Sequence, residues 1–397
     1  MGEHRIDARL DFLDHFRSVL AALSAIALAF GTALIAGGCG SDPMLSYETG
    51  TPPLVLTTIA NAGIVDGRGR FREIFCGLST DHGTDLPYHR PCDEALHRLD
   101  GEPPLTGRPV NLGQATVPLD VVVVPGLGAA CFPDIATPFA SAMDHLRDLG
   151  YKAEILWVEG VSGSQRNAEL IRNAARAAEP GGPPVVLVGY SKGAPDILEA
   201  LVRYPKITSR VAAVVSIAGA VNGSPLAEGA STTMLEAIQS LPGASCDDGD
   251  LAAIESLRRK ERLDWLATYE LPTQIRYYSV ASFTDRDNIS SILRGSYDDL
   301  SLLDPRNDSQ VLYYDQIIPG SVLLGYLNSD HWAVALDIAS TLPTVADLLV
   351  TRNEFPRDIM LEAIVKQIEE DLVNPPAGKN VATAPHSSTS ARQSEAD

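Results

Sequence analysis

The chain has 397 residues, 45% of them hydrophobic and 21% charged, which is enough apolar material for a large buried core. Its 31 Lys and Arg stand against 51 Asp and Glu, a formal net charge of −20. That balance, with no basic run or basic-aromatic stripe, argues against nucleic-acid binding, because phosphate contacts need Lys and Arg. Length alone admits two or three domains, or one catalytic domain with extensions.

Residues 18–41 carry no charged side chain, and 19–36 are almost wholly apolar. The run ends in Leu34-Ile35-Ala36-Gly37-Gly38-Cys39. Small residues just before a Cys, after an apolar run, resemble the lipobox of bacterial lipoprotein signals. That resemblance implies a leader over 1–38 and a lipidated Cys39 as the new N-terminus. The protein would then sit in the cell envelope, held to a membrane by its lipid on the periplasmic or outer-membrane side. Gly40, where Asp could stand, points to the outer membrane within that family. The pattern departs at Ala36, where Leu is usual. It departs again in charge, since Glu3, Asp7, Asp11 and Asp14 outweigh Arg5, Arg9 and Arg17, whereas a signal peptide has a positive start. An uncleaved anchor is the alternative, because the apolar run is borderline long enough to span a bilayer. Both readings export the rest of the chain.

Next come the cysteines. With Cys39 set aside, Cys76, Cys92, Cys131 and Cys246 remain, an even number that reads as two disulfides in an exported protein. Three pairings are open. Cys76 and Cys92 bracket one loop-like segment and are paired, which leaves Cys131 for Cys246. No C-x-x-C pair or His-rich partner supports metal binding, so no metal site is read.

A polar tether is expected over 39–51. Residues 52–116 are Pro- and Gly-rich and read as an N-terminal extension packed on the main domain, with a candidate strand at 54–58. From 117 the pattern changes. Short β-branched apolar runs at 120–124, 153–157, 185–188, 211–217, 275–280 and 321–324 predict strands buried on both faces, as in a parallel sheet. Helical stretches at 137–149, 165–178 and 192–203 alternate with them, the signature of an α/β fold. The alternation lapses over 222–272, where helices at 233–240 and 251–269 are expected without a strand. Closing helices are predicted at 332–349 and 357–373, ending a domain that spans 117–373. The tail, 374–397, is rich in Pro, Ser, Thr and Ala and is expected to be disordered.

Gly189-Tyr190-Ser191-Lys192-Gly193 matches G-x-S-x-G. A strand precedes it at once and a helix follows, the setting that the motif requires. The turn forces the Ser into a strained backbone conformation, flanking Gly residues leave room, and the hydroxyl projects at a helix N-terminus. A serine nucleophile needs a base. Only His331 and His386 follow Ser191, and His386 lies in the tail, which leaves His331 just past the last predicted strand. An Asp or Glu between them must orient the imidazole. Asp285, Asp287, Asp304, Asp308 and Asp315 compete for that place.

Together these features resemble the α/β-hydrolase lipases and esterases of bacteria over roughly residues 117–349. The resemblance implies a mostly parallel central sheet flanked by helices, and it makes 222–272 a helical lid insertion. Asn307-Asp308-Ser309-Gln310-Val311 is similar to the acid loop of those lipases, and its 23-residue separation from His331 suits the family, so Asp308 is preferred. Val124-Pro125-Gly126-Leu127-Gly128 resembles their His-Gly-x-x-Gly oxyanion loop, with Pro125 in place of His. The Leu127 and Lys192 amides are then the oxyanion donors, and the Lys192 side chain is expected to be solvated. A Cys131–Cys246 bridge would tie the lid base to this loop. The implied activity is hydrolysis of a carboxylic ester, from a small-molecule or lipid substrate, through an acyl-enzyme on Ser191. No cofactor is needed, and a monomer is expected. Amidase, peptidase, thioesterase or acyltransferase chemistry on the same fold is the alternative. A binding module or envelope lipoprotein with an inactive hydrolase fold is the reading outside enzymes.

Overall fold

The computed structural model describes residues 63–374, apart from 178–180, 241, 242, 248 and 345. The leader, Cys39, the tether, the strand expected at 54–58 and the tail from 375, His386 included, lie outside the described residues.

Every predicted run from 120 onward forms a strand. They are β3 (Asp120–Val124), β4 (Lys152–Ile155), β5 (Val185–Tyr190), β6 (Val211–Ile217), β7 (Arg276–Phe283) and β8 (Val322–Asn328). All five residues of β3 and all six of β5 are buried, as Val-rich strands covered on both faces should be. Neighbours pair in parallel in the order β8-β7-β6-β5-β3-β4.

The outer edge of β8 is closed by the N-terminal segment. Two-residue strands, β1 (Val65–Asp66) and β2 (Leu96–His97), pair with the first and second halves of β8, parallel and antiparallel respectively. Residues 52–116 were expected to pack on the core; from 65 onward they also extend its sheet and cap an edge that would otherwise expose unpaired backbone groups. Helix α1 (Arg68–Asp81) buries Phe71, Ile74, Phe75 and Leu78, spaced along one helical face, in the main apolar core.

The helices α2 (Ala140–Asp148), α3 (Ser164–Ala177) and α4 (Gly193–Arg203) follow β3, β4 and β5. A long closing helix, α8 (Arg357–Val373), is buried along its first thirteen residues, Arg357 through Glu369. Its polar groups are engaged by the N-terminal segment. Glu369 accepts the amides of Thr116 and Val117 at 2.7 and 2.9 Å, and Glu370 pairs with Arg70.

The predicted lid divides in two. A short turn at Leu226–Gly229, α5 (Thr232–Gln239) and the turn Glu255–Leu257 gather an apolar cluster of Leu235, Ile254 and Leu257 against Val161 and the partly buried Leu127 and Phe132. Helix α6 (Arg259–Thr268) turns back to the sheet instead, where Trp265 and Leu266 pack on the second core with Ile197 and Leu201. The helix expected over 251–269 therefore starts late. Leu251 takes φ 55°, and Asp250 caps the amides of Ala252 and Gly163, at 3.0 and 2.8 Å, which interrupts the helix there. Farther along, α7 (Arg294–Ser301) is a further addition. The helix predicted over 332–349 is broken into Ile338–Thr341 and Ala346–Leu349. Pro343 explains the break: it has no N–H to donate, and it pushes Leu342 out of the helical region, to φ −128° and ψ 56°.

Both expected disulfides are present, Cys76–Cys92 and Cys131–Cys246, closing separations of 16 and 115 residues. Ser245 donates its amide to Cys131 O at 2.8 Å, so the second bridge lies in a folded junction between the lid base and the loop after β3. A longer closed loop removes more unfolded-state entropy, worth about 5 kcal/mol for the long bridge against about 3 for the short one. Cys131→Ser with Cys246→Ser should therefore lower the unfolding free energy more than Cys76→Ser with Cys92→Ser. Denaturant titration of the two double variants decides this, and equal losses would count against the loop-entropy account.

Candidate active site

Ser191 sits between β5 and α4 with φ 54°, in the left-handed region where a side chain is strained. The glycines around it explain how the turn closes. A Cβ on Gly193 would meet Val124 O at 2.1 Å, and one on Gly189 would meet Ala194 Cα at 2.5 Å. The elbow is fixed from β6 and the turn after it: Ser191 N donates to Ile217 O at 3.3 Å, and Ser191 O accepts from Ala220 N at 3.0 Å.

His331 follows β8 and is 5% exposed. Its Nε2 lies 2.8 Å from Ser191 Oγ, and its Nδ1 lies 2.7 Å from Asp308 Oδ2. A carboxylate can only accept, so Nδ1 carries the proton and Nε2 is left to accept from the serine hydroxyl. The backbone repeats the link, with His331 N donating to Asp308 O at 2.8 Å. Two neighbours steady the imidazole. The Tyr190 hydroxyl donates to His331 O at 2.7 Å, and its ring lies 5.3 Å from the imidazole. Asp330 accepts the Ser290 and Ala333 amides at 2.7 Å each and so pins the turn on which His331 stands. Burial holds the Asp330 carboxyl above the usual range.

Asp308 is fully buried. Its Oδ1 accepts the Gln310 and Val311 amides at 2.9 and 2.8 Å, while Oδ2 faces His331 and, at 3.3 Å, Gln316 Nε2. The loop is braced by Asn307, whose Oδ1 accepts Ser309 N at 2.9 Å while its Nδ2 reaches Ser301 Oγ on α7 at 3.2 Å. The competing carboxylates are elsewhere. Asp285 and Asp287 are exposed, and Asp304 pairs with Arg306 at 2.9 Å. Asp315 is buried but pairs with Arg259 at 3.0 Å; burial still pushes its carboxyl up to about 6.

The loop after β3 closes on the nucleophile. A Cβ on Gly126 would meet Ser191 Cβ at 2.7 Å, so only Gly allows this approach. The next residue is Leu127. Among the described residues, neither the Leu127 amide nor the Lys192 amide is committed to an acceptor.

The Lys192 side chain departs from expectation. It is 1% exposed, and its ammonium lies 2.7 and 2.9 Å from the two Asp196 oxygens one turn along α4. Asn167 on α3 donates to Asp196 at 2.7 Å and to Glu159 O at 3.2 Å, so α3 and the loop before it cover the pair. A buried charge requires such a partner. Asp196 supplies it, and the first turn of α4 is stiffened directly beneath the Lys192 amide.

The sequence thus brought Ser191, His331 and Asp308 to one point and placed Leu127 and Lys192 beside it. It missed Tyr190, Ser290, Gln316 and Asp330. Of these, only Tyr190 carried a signal, as one of the two variable residues of the pentad. Cys76 and Cys92 lie apart in the N-terminal segment.

No protein-family model and no curated protein matches the chain. Among solved structures, it is similar to a carboxyl esterase of metagenomic origin, at 45% identity and a TM-score of 0.77, over 81% of this chain and 97% of that one. It is also similar to the mature form of a lipase from Bacillus licheniformis, at 22% identity and a TM-score of 0.45, over 62% of this chain and 96% of that one. A lipase from Staphylococcus hyicus is similar at 13% identity and a TM-score of 0.45, over 66% of this chain and 99% of that one.

Proposed function

Since the chain belongs to the carboxyl esterases of the α/β-hydrolase fold, serine hydrolases of carboxylic esters, we propose that Ser191, His331 and Asp308 are its catalytic triad. The unbroken hydrogen-bond chain from Ser191 Oγ through His331 to Asp308 carries this reading.

In the proposed cycle, His331 Nε2 takes the hydroxyl proton as Ser191 Oγ bonds to the ester carbonyl carbon. The carbonyl oxygen becomes an oxyanion, held by the Leu127 and Lys192 amides. When the tetrahedral intermediate collapses, the ester C–O bond breaks and the His331 proton passes to the leaving alkoxide, which departs as an alcohol. Water then repeats the sequence on the acyl-enzyme, giving its proton to His331, and Ser191 recovers one as the acid leaves. Asp308 stays ionised and stabilises the imidazolium. The apolar cluster that joins Leu127 and Phe132 to Met234 and Ile238 favours a hydrophobic acyl chain. A fluorophosphonate probe should phosphonylate the native protein once, on the peptide that contains Ser191. Absence of labelling, or labelling elsewhere, rejects the triad.

Envelope location through a lipid on Cys39 is the second part of the proposal. The apolar run ending in Ala36-Gly37-Gly38-Cys39 supports it, and so do two disulfides, which persist in oxidising compartments. Cys39→Ser should shift the protein from the membrane to the soluble fraction of the producing cell; unchanged membrane retention would favour an uncleaved anchor.

A further inference from the structure

We infer that His82, His145 and Glu362 form a binding site for a divalent transition-metal ion, zinc being the ion that the donor set favours. His82 caps the C-terminus of α1, His145 lies in α2, and Glu362 lies in α8. The Nε2 atoms of both imidazoles converge on one oxygen, Glu362 Oε2, at 2.8 and 2.7 Å. The three ligand atoms all lie within 4.8 Å of one another.

The carboxylate calls for a cation. Glu362 is fully buried, and its second oxygen, Oε1, has no hydrogen-bond partner among the described residues. An ionised carboxylate in that setting is costly unless a positive charge offsets it. The two cationic side chains on its own helix are committed elsewhere. Lys366 donates to the carbonyls of Gly113 and Gln114, and Arg357 to those of Leu336 and Asn353. Among the described residues, Glu362 meets only the two histidines within ion-pair distance.

The outer ring fits as well. His82 has a carboxylate at each ring nitrogen, with Asp81 Oδ2 3.1 Å from Nδ1. A neutral imidazole has one N–H and one lone pair, so it cannot donate to both. With a metal at Nε2, the Nδ1 proton goes to Asp81, the carboxylate–histidine–metal relay that orients and strengthens such ligands. Two imidazoles and one carboxylate suit a borderline ion such as zinc, with the fourth tetrahedral position left for water. His82 and His145 keep 21% and 13% side-chain exposure, so an ion can enter from that side. Ligand atoms around tetrahedral zinc stand about 3.3 Å apart, given bonds of about 2.0–2.1 Å. The present N···O separations need to open by about half an ångström, within the reach of side-chain rotation.

Among the described residues, no hydrogen bond or ion pair joins any of the three to Ser191, His331 or Asp308, so the ion's role is to fasten together α1, α2 and α8. Ion binding at these three residues does not depend on ester hydrolysis at Ser191. Sequence spacing could not reveal it, because the ligands stand at 82, 145 and 362 with no shared interval.

The test is a zinc titration of the full-length, chelator-treated protein against a chromophoric chelator, at neutral pH. One equivalent should bind, with a rise of several degrees in melting temperature. His145→Ala and Glu362→Gln should each weaken binding by about tenfold or more, and cobalt in place of zinc should give the visible absorption of a tetrahedral site. Ester hydrolysis at low temperature should be the same in the stripped and loaded protein. If the native protein takes up no stoichiometric zinc, the inference fails even should both variants misfold. Unchanged affinity in both variants also overturns it, because the ion then binds elsewhere, and so does loss of ester hydrolysis on stripping at full fold.

Discussion

Ser191→Ala should lower kcat for a carboxylic ester by about 10⁵- to 10⁶-fold, the scale of loss when a triad nucleophile is removed. The reason lies in how little else the hydroxyl does. Ser191 Oγ meets His331 Nε2 at 2.8 Å, and its backbone bonds to Ile217 and Ala220 do not involve the side chain. Alanine keeps the Cβ, so the strain at φ 54° stays and the fold should melt at nearly the same temperature. Ser191→Gly separates strain from chemistry. It should be equally inactive, yet more stable by up to about 1 kcal/mol, because glycine adopts a positive φ freely and the gain is partly offset by a looser unfolded chain. Steady-state kinetics and thermal unfolding on the same preparations read both effects. Residual activity above about a hundredth in either variant would move the nucleophile away from Ser191.

What could be read in advance follows the range of the forces involved. Strands β3, β5 and β6 were legible because burial on both faces demands continuous Val-rich runs, and the elbow because its close approaches admit only glycine. Elimination pointed to His331 and loop sequence to Asp308, and both stand in one hydrogen-bond chain with Ser191. Features set by distant partners were not legible. A two-residue strand such as β1 or β2 has no periodicity, so its place beside β8 is decided by tertiary pairing alone. Lys192 starts a helix, where a solvated ammonium is the ordinary expectation; it is buried because α3 brings Asn167 over Asp196. The break at Pro343 was written in the sequence and follows from a missing donor, yet the apolar pattern on either side masked it.

Asp308→Asn should cost about 10⁴-fold in kcat with little change in fold, while Asp285→Asn should leave activity within about twofold. The asymmetry follows from which atoms surround Asp308. Its Oδ1 is clamped by two donors, the Gln310 and Val311 amides, so the oxygen of an asparagine must occupy that side. The NH2 group is then forced toward His331 Nδ1, 2.7 Å away in the native pair. Nδ1 can accept that bond only by giving up its proton, which moves the proton to Nε2. An Nε2–H facing Ser191 is unable to take the hydroxyl proton, and the base is lost with its geometry intact. Turning the amide over offers no escape, because its NH2 would then face two N–H donors inside a fully buried pocket. Asp285 is exposed and makes no such contact, so its amide is a control of equal chemistry. Asp308→Asn retaining more than a tenth of native kcat, or Asp285→Asn matching its loss, would reassign the triad acid.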